Sequence, residues 1–393
     1  MRRRTIFLLT VVLVLLGLGR ASAGDRPRLH WLQYDPEVLK SYKVAASASD
    51  PARQAVTPTW AGAAAKPYRI LLLIPIKSAD AYSISVNTIL SVFRDHEVAA
   101  DFELWFYDKN PDIAAESLAW AERRPVDLIM TVGSLATEYV HGHYRGRRIP
   151  VVTSASKDPV LMGQMPDYTS GSGTNIAYTS INVSIDTELA YLGQLIPELK
   201  TIAVIYAQDN KSAVETQVRP LKAAAPKRGI AVSEVVVRDE GHAVEDINAR
   251  LPSVVAALRE SDPELKRSIL LVTGSTSVYD QIRLINFHTG LLPVVATLPD
   301  VVRPGDDTAV LSIGVNQSTA VQIAALFAIE ILSGEAKPGS LRVGVASPPD
   351  IAISFRRARQ IGLKIPFAFF ESATFVYDYD GRPVRAFGQR LTQ

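Results

Sequence analysis

The chain has 393 residues, 47% hydrophobic and 21% charged, with no cysteine, which excludes disulfides, thiolate metal centres, a cysteine nucleophile and a lipid-modified cysteine. A chain this long and this apolar can bury one or two cores of ordinary size without covalent staples. The formal charge of +2 and the lack of a basic run past the amino terminus exclude a surface built to track a phosphate backbone, so no nucleic-acid partner is expected.

At the amino terminus Arg2, Arg3 and Arg4 precede an apolar run over residues 6–16 that only Thr10 interrupts, and Ala21, Ser22 and Ala23 follow. This pattern predicts a secretory signal over residues 1–23, cleaved after Ala23, and hence a periplasmic protein. A retained anchor is the alternative, but the run falls short of the ~20 residues a spanning helix needs. Arg3 and Arg4 also fit a twin-arginine signal, whereas the leucine-rich stretch behind them favours the general secretory route. Cleavage removes four arginines and no acid, taking the formal charge from +2 to −2.

Residues 24–66 are rich in Ala, Pro, Ser and Thr with no sustained periodicity and read as a flexible leader. Residues 36–42 can form a short docked helix within it, and 61–66 read as a tether. The apolar run at 68–76 predicts a strand, followed by a helix over 79–93, strand 102–107, helix 111–123, strand 127–132, helix 135–141 and strand 149–153. Continuously apolar strands are those buried on both faces of a parallel sheet. After a glycine-bearing stretch at 154–185 the alternation restarts, with helix 187–195, strand 201–206, helix 213–228, strand 231–237, helix 244–260, strand 268–273, helix 278–289 and strand 292–296. A turn-rich loop at 300–307 leads to one more unit, strand 310–313 with helix 319–332, and short segments at 340–347, 351–355 and 356–361 precede a polar tail. Two βα series predict two doubly wound, Rossmann-like α/β lobes.

In such sheets ligands bind beyond the carboxyl ends of the strands, where helix starts face the crevice. The first series ends in Lys77, Ser78 and Asp80, then Gly133, Ser134 and Thr137, then Ser154, Ser156 and Asp158. The second ends in Gln208, Asp209, Asn210 and Ser212, then Gly274, Ser275, Thr276 and Ser277, then Thr297. Hydroxyls, amides and glycines suit hydrogen bonding to a polar solute better than bond breaking. Any one of these Ser and Thr residues equally serves as a helix cap; the signal is their recurrence in both series. Tyr82, Trp105, Tyr107, Tyr206 and Tyr279 can stack on a ligand or pack in the core. No Gly-x-Ser-x-Gly elbow, Walker loop, His-Glu-x-x-His or first-strand Gly-x-Gly-x-x-Gly occurs, so no enzyme activity, no catalytic residue and no cofactor is expected. His141 and His143, with arginines rather than carboxylates nearby, read as a solvated helix end rather than a metal pair. Asp306 and Asp307 read as a turn.

The chain resembles the ABC-transporter substrate-binding family typified by tryptophan and tyrosine binders, a branch of the type I periplasmic binding proteins. The resemblance is carried by Ile149-Pro150-Val151-Val152 leading to Asp158-Pro159-Val160 and Gly163, by Gly173-Thr174-Asn175-Ile176, and by the run from Ile196-Pro197-Glu198-Leu199-Lys200 to Tyr206. Ile331-Leu332-Ser333-Gly334 with Lys337-Pro338, and Ala358-Arg359-Gln360-Ile361-Gly362 with Pro366, resemble the family's closing segments. It implies a Venus-flytrap of two lobes joined by a three-segment hinge, with residues 67–180 and 305–345 in lobe 1, 181–304 and 346–376 in lobe 2, and 377–393 as a C-terminal tail. By position the ligand-binding loops fall on Ser78 and Tyr82, Gly133 and Ser134, Ser154 and Ala155, Asn210 and Ser212, and Gly274, Ser275 and Thr276. The strand end Val272-Thr273-Gly274-Ser275-Thr276 lacks the acid that would pair a ligand ammonium. Asp158 is retained with Lys157 beside it to neutralise its charge, and Gly314-Val315-Asn316-Gln317 stands at the third crossing. A non-zwitterionic or anionic solute therefore fits as well as an amino acid.

The function these readings imply is capture of a small polar or aromatic solute by hinge closure and delivery to an ABC permease in the inner membrane, by a monomer. The alternatives are a periplasmic receptor presenting its closed form to a sensor kinase and a cleft enzyme, which would need a nucleophile and base the sequence does not offer.

Overall fold

A strand buried on both faces has no solvent side, and Tyr68–Ile74 is apolar and buried from Ile70 onward for that reason. The computed structural model describes residues 26–60 and 66–391; the signal segment expected over residues 1–23 lies outside them. Tyr68–Ile74 pairs in parallel with Ala100–Phe106 on one side and Leu128–Val132 on the other, and Val151–Ser154 and Ile176–Ala177 extend the parallel set. Successive residues point to opposite faces and so feed two cores. Ile70, Leu72 and Ile74 pack under helices Ala79–Asp95 and Gln317–Ser333, while Leu71 and Leu73 pack under Pro111–Glu122 and Ser134–Tyr144.

The same logic builds a second sheet. Thr201–Ala207 lies between Ala231–Val237 and Ser268–Val272, followed by Val294–Ala296 and Leu311–Gly314, all parallel. Asp350–Ser354 then runs antiparallel to Leu311–Gly314, with Phe375–Tyr377 parallel to it. Helix Ile185–Leu195 covers one face and Ala243–Ser261 with Ile282–Thr289 the other. The protein is thus two doubly wound α/β lobes of the type I periplasmic binding fold.

Between the lobes the chain crosses three times: from Thr179–Ser180 to Ile185–Leu195, from Leu311–Gly314 to Gln317–Ser333, and from Gly344–Val345 to Asp350–Ser354. Thr179–Ser180 and Gly344–Val345 pair as a two-stranded ribbon. Ile181, Val315 and Ala346, one from each crossing, share a small apolar cluster with Ala320. Asp350 Oδ2 accepts the Asn316 N–H at 2.9 Å, and Asp300 accepts from Asn316 Nδ2 at 2.9 Å and the Gln317 N–H at 3.2 Å. These carboxylates thereby anchor Asn316 and Gln317 at the start of helix Gln317–Ser333.

This second crossing corrects the expectation that residues 305–345 lie wholly in lobe 1. Leu311–Gly314 belongs to the second sheet, and only the following helix packs on the first, through Val321, Ala324, Ala325 and Ala328. An apolar strand followed by an apolar helix satisfies either sheet, so periodicity alone does not place the boundary at Val315. The tail expected over 377–393 is also structured in part, because Pro383–Ala386 and Gln389–Arg390 form a hairpin on the edge strand Phe375–Tyr377.

The flexible leader expected over residues 24–66 is corrected in the same way over residues 26–60. Helix Pro36–Leu39 lies where a docked helix was expected, but Tyr42–Ala46 and Arg53–Pro58 form an antiparallel hairpin whose second strand pairs with Ala100–Phe106. Each of these strands has few buried side chains, so neither announces itself by alternation. What holds them is the neighbour: Leu29, Trp31, Val38, Tyr42 and Val56 join the core beneath helix Ala79–Asp95. Trp31 meets Tyr82 and Phe106 edge-on at 6.2 and 5.3 Å, and the Tyr42 hydroxyl donates to Leu90 O at 2.9 Å. The hairpin also covers an edge strand that would otherwise offer unpaired backbone groups. Trp31→Ala is expected to cost about 3–5 kcal/mol of stability in urea denaturation, and a chain starting at residue 66 is expected to self-associate. A leader that merely trails from the lobe would leave both measurements unchanged.

Candidate functional site

Parallel strands of both sheets end at the interface between lobes, and the loops that follow them enclose a cavity of about 350 Å³. Its walls bring together Ser78, Tyr82, Gly133, Ser134 and Ala155 from the first lobe with Asn210, Ser212, Gly274 and Thr276 from the second. These are nine of the eleven residues singled out from sequence. The other two sit behind the wall. Ser154 is fully buried, its hydroxyl without a partner, and its carbonyl accepts the Gly133 N–H at 2.8 Å. Ser275 is turned back toward the sheet, its Oγ accepting from Thr273 Oγ1 at 3.2 Å. Of the aromatic candidates, Tyr82 and Tyr279 face the cavity from opposite lobes. Trp105 and Tyr107 belong to the core, and the Tyr206 hydroxyl donates to Glu234 at 2.7 Å.

Local backbone geometry explains several of these placements. Gly133 precedes helix Ser134–Tyr144 at φ +85°, where a Cβ would sit 3.1 Å from the Tyr82 hydroxyl, so glycine serves both the turn and the close approach. Asn210 does cap a helix, its Oδ1 accepting the Ala213 N–H at 3.1 Å and the Ser212 hydroxyl at 2.9 Å. By contrast, no described side chain caps helix Ala79–Asp95 or helix Ser134–Tyr144. The hydroxyls of Ser78 and Tyr82 make no hydrogen bond to a described residue. A π-turn at Val214–Val218 swings Gln217 inward, where its Oε1 accepts the Gly274 N–H at 2.9 Å and its Nε2 donates to Thr297 Oγ1 at 2.8 Å. Such turns recur at functional sites. At the mouth Lys211 of the second lobe pairs with Glu138 of the first, an exposed bridge between the lobes.

The residue that sequence reasoning misassigned is Lys157. It was expected to neutralise Asp158, yet no salt bridge joins them. Asp158 instead organises its own loop, accepting the N–H groups of Val160 and Leu161 at 2.8 and 3.1 Å and the Tyr168 hydroxyl at 2.6 Å. Lys157 is 6% exposed and its side chain crosses to the second lobe, its Nζ lying where a Cβ on Gly274 would come within 2.2 Å. The glycine at the strand end, noted as the absence of an acid, makes room for this ammonium. Signals were present in the adjacent Lys157-Asp158 pair and in Gly274, but nothing in the sequence places them opposite each other.

His141 and His143 are engaged locally, with Nδ1 of His141 2.6 Å from the Tyr178 hydroxyl and that of His143 2.8 Å from Tyr139 O. Among the described residues no group of three or more His, Asp or Glu side chains is placed to hold a metal.

Burial sets the protonation of two groups at this interface. Desolvation lowers the Lys157 ammonium from 10.5 to about 8, with partial relief from Glu188. It raises Glu188, on helix Ile185–Leu195, from 4.5 to about 7, with partial relief from Lys157. No salt bridge joins the two, and Glu188 Oε1 is buried without a hydrogen-bond partner. For Glu188 the folded state holds its proton more tightly than the unfolded chain, so its contribution is complete below pH 4.5 and is lost as pH rises through about 7. For Lys157 the penalty of the buried charge is present in full below about 8 and is relieved as pH rises toward 10.5. The thermal midpoint of the ligand-free protein should therefore fall more steeply from about pH 5 to about pH 8 than that of Glu188→Gln. Parallel slopes in the two melting series would contradict this assignment.

No curated protein matches the chain. A conserved domain protein from Vibrio cholerae is similar at 20% identity and a TM-score of 0.61, covering 79% of this chain and 100% of that one. A Streptococcus pneumoniae ABC domain in complex with L-Trp is similar at 17% identity and a TM-score of 0.61, covering 78% and 99%. The ligand-free, open structure of a substrate binding protein with adhesive properties from Clostridium difficile is similar at 20%, 0.59, 76% and 96%. At these identities the likenesses establish the fold. The family model described as ABC transporter substrate binding protein matches residues 76–376, more than three quarters of the chain and all of the cavity, and the chain therefore belongs to that family of binding proteins, which are not enzymes.

Proposed function

We propose that the protein captures a small polar solute in the interlobe cavity, closes over it about the three crossings, and delivers it to an ABC permease of the inner membrane. The reading is supported by family membership and, above all, by one observation: the cavity is walled by strand-end loops of both lobes, so that only closure brings its hydrogen-bonding groups together. Ser78 and Tyr82 on one side offer hydroxyls with no described partner, and on the other the Tyr279 hydroxyl donates to Thr276 Oγ1 at 3.2 Å; a guest that reaches both sides therefore biases an equilibrium between open and closed forms. A cavity of about 350 Å³ has room for about a dozen waters at ~30 Å³ each, the scale of a small metabolite. The family and fold are those of exported solute-binding proteins, and no helix among the described residues is long and apolar enough to cross a membrane.

The bound solute is expected to raise the thermal midpoint in proportion to the logarithm of its concentration and to reduce the radius of gyration in small-angle scattering. Gly274→Val, which places a side chain where Lys157 Nζ now sits, is expected to wedge the lobes apart and abolish both responses with the fold retained. A solute that binds without any compaction, or a Gly274→Val protein that still compacts, would contradict capture by closure.

A further inference from the structure

We infer that the solute of this cavity is a small organic anion, held by its carboxylate between the Lys157 ammonium and the uncapped helix starts at Ser78 and Gly133. The inference rests on the reading of the cavity as the solute site. Among the described side chains six charged residues line it, and five of them, Lys109, Glu138, Asp209, Lys211 and Glu240, lie at the exposed or half-exposed mouth. Lys157 alone is buried, and among the described residues it has no ion-pair partner within 4 Å. An ammonium out of water, relieved only in part by Glu188, is a costly arrangement in a folded protein. Here it opens on a cavity, where a guest can supply the missing charge.

A second, independent feature has the same sign. Helices Ala79–Asp95 and Ser134–Tyr144, of 17 and 11 residues, both begin at the cavity, and among the described side chains none caps either first turn. Their free N–H groups and the positive ends of their dipoles favour an anion. Glu188, the acid that acts on Lys157, is not part of the cavity wall and makes no salt bridge with it; burial raises its carboxyl toward the protonated form, so it relieves the ammonium only in part and offers no seat for a ligand cation. Apolar groups of Ile76, Tyr82, Ile181, Tyr279 and Leu298 make up much of the remaining wall. They suit an organic body behind the carboxylate and not a bare inorganic ion.

The test uses the full mature chain and titrates benzoate, lactate and succinate, each beside its amide, with inorganic phosphate, glucose and an alkylamine as further probes. Calorimetry and thermal melting are read for the parent, Lys157→Met and Lys157→Gln. At least one carboxylate is expected to bind, with its amide and the amine at least tenfold weaker and phosphate inert. Both variants are expected to lose at least tenfold in affinity for that carboxylate while melting, without ligand, at or above the parent temperature. A lysine retained for structure would instead lower the melting point when replaced. Equal affinity for acid and amide in the parent overturns the inference even if neither variant folds, as does full carboxylate affinity in a variant. Binding of glucose, the amine or phosphate with every carboxylate inert overturns the anion assignment and leaves the cavity reading intact. Silence of all probes of every charge type overturns the cavity reading itself.

Discussion

Each lobe of this protein is assembled from pieces of chain far apart in sequence, and the whole arrangement depends on three crossings being held side by side. The contact that does this is small: Ile181, Val315 and Ala346 around Ala320, with Asp300 and Asp350 turned onto Asn316 and Gln317. Because the crossings are short and share one cluster, the lobes have one shared place about which to move. Because parallel strands of each sheet end beside it, their tips and the loops after them face one another across a single gap. Cavity and hinge are thus consequences of the same topological fact.

Within that gap the chemistry is unevenly satisfied. Loop-forming groups are fully used, as in Asp158 with its two N–H donors and the Tyr168 hydroxyl, or Gln217 bridging Gly274 and Thr297. The groups facing the cavity are less so: Lys157 makes no salt bridge with a described residue and is relieved only in part by Glu188, and neither Ser78 nor Gly133 caps the helix it precedes. Folding alone would favour replacing a buried unpaired charge by a hydrocarbon of similar volume. Satisfied loops presenting less satisfied groups to a void are what the proposed solute would complete. The exposed Glu138–Lys211 bridge at the mouth contributes little by itself, since such pairs are screened by water and salt.

Much of this was legible in the residues. The alternation from Tyr68 onward places the parallel strands and most of their helices, because strands buried on both faces must be continuously apolar and helices between them amphipathic. Strand-end residues follow directly, and nine of the eleven nominated line one cavity. Ser154 and Ser275 lie one position off the wall, since neighbouring residues in an extended segment point in opposite directions and the phase at a strand end is not written in the sequence. Residues 26–60 were misread for a related reason: Trp31, Tyr42 and Val56 are buried by helix Ala79–Asp95 and its neighbours, not by a pattern of their own.

The sequence by itself determined the class of fold, the number of βα series, the lack of cysteine chemistry and the polar, non-catalytic character of the strand tips, because all of these depend on local periodicity and residue type. Tertiary structure alone decided that Leu311–Gly314 and the helix after it serve different lobes, that the amino-terminal hairpin completes the first sheet, and that Lys157 reaches Gly274 rather than Asp158. Each of those is a relation between segments distant in the chain, set by which surfaces meet when two sheets are knitted together by three crossings, and no property of either segment taken alone specifies it.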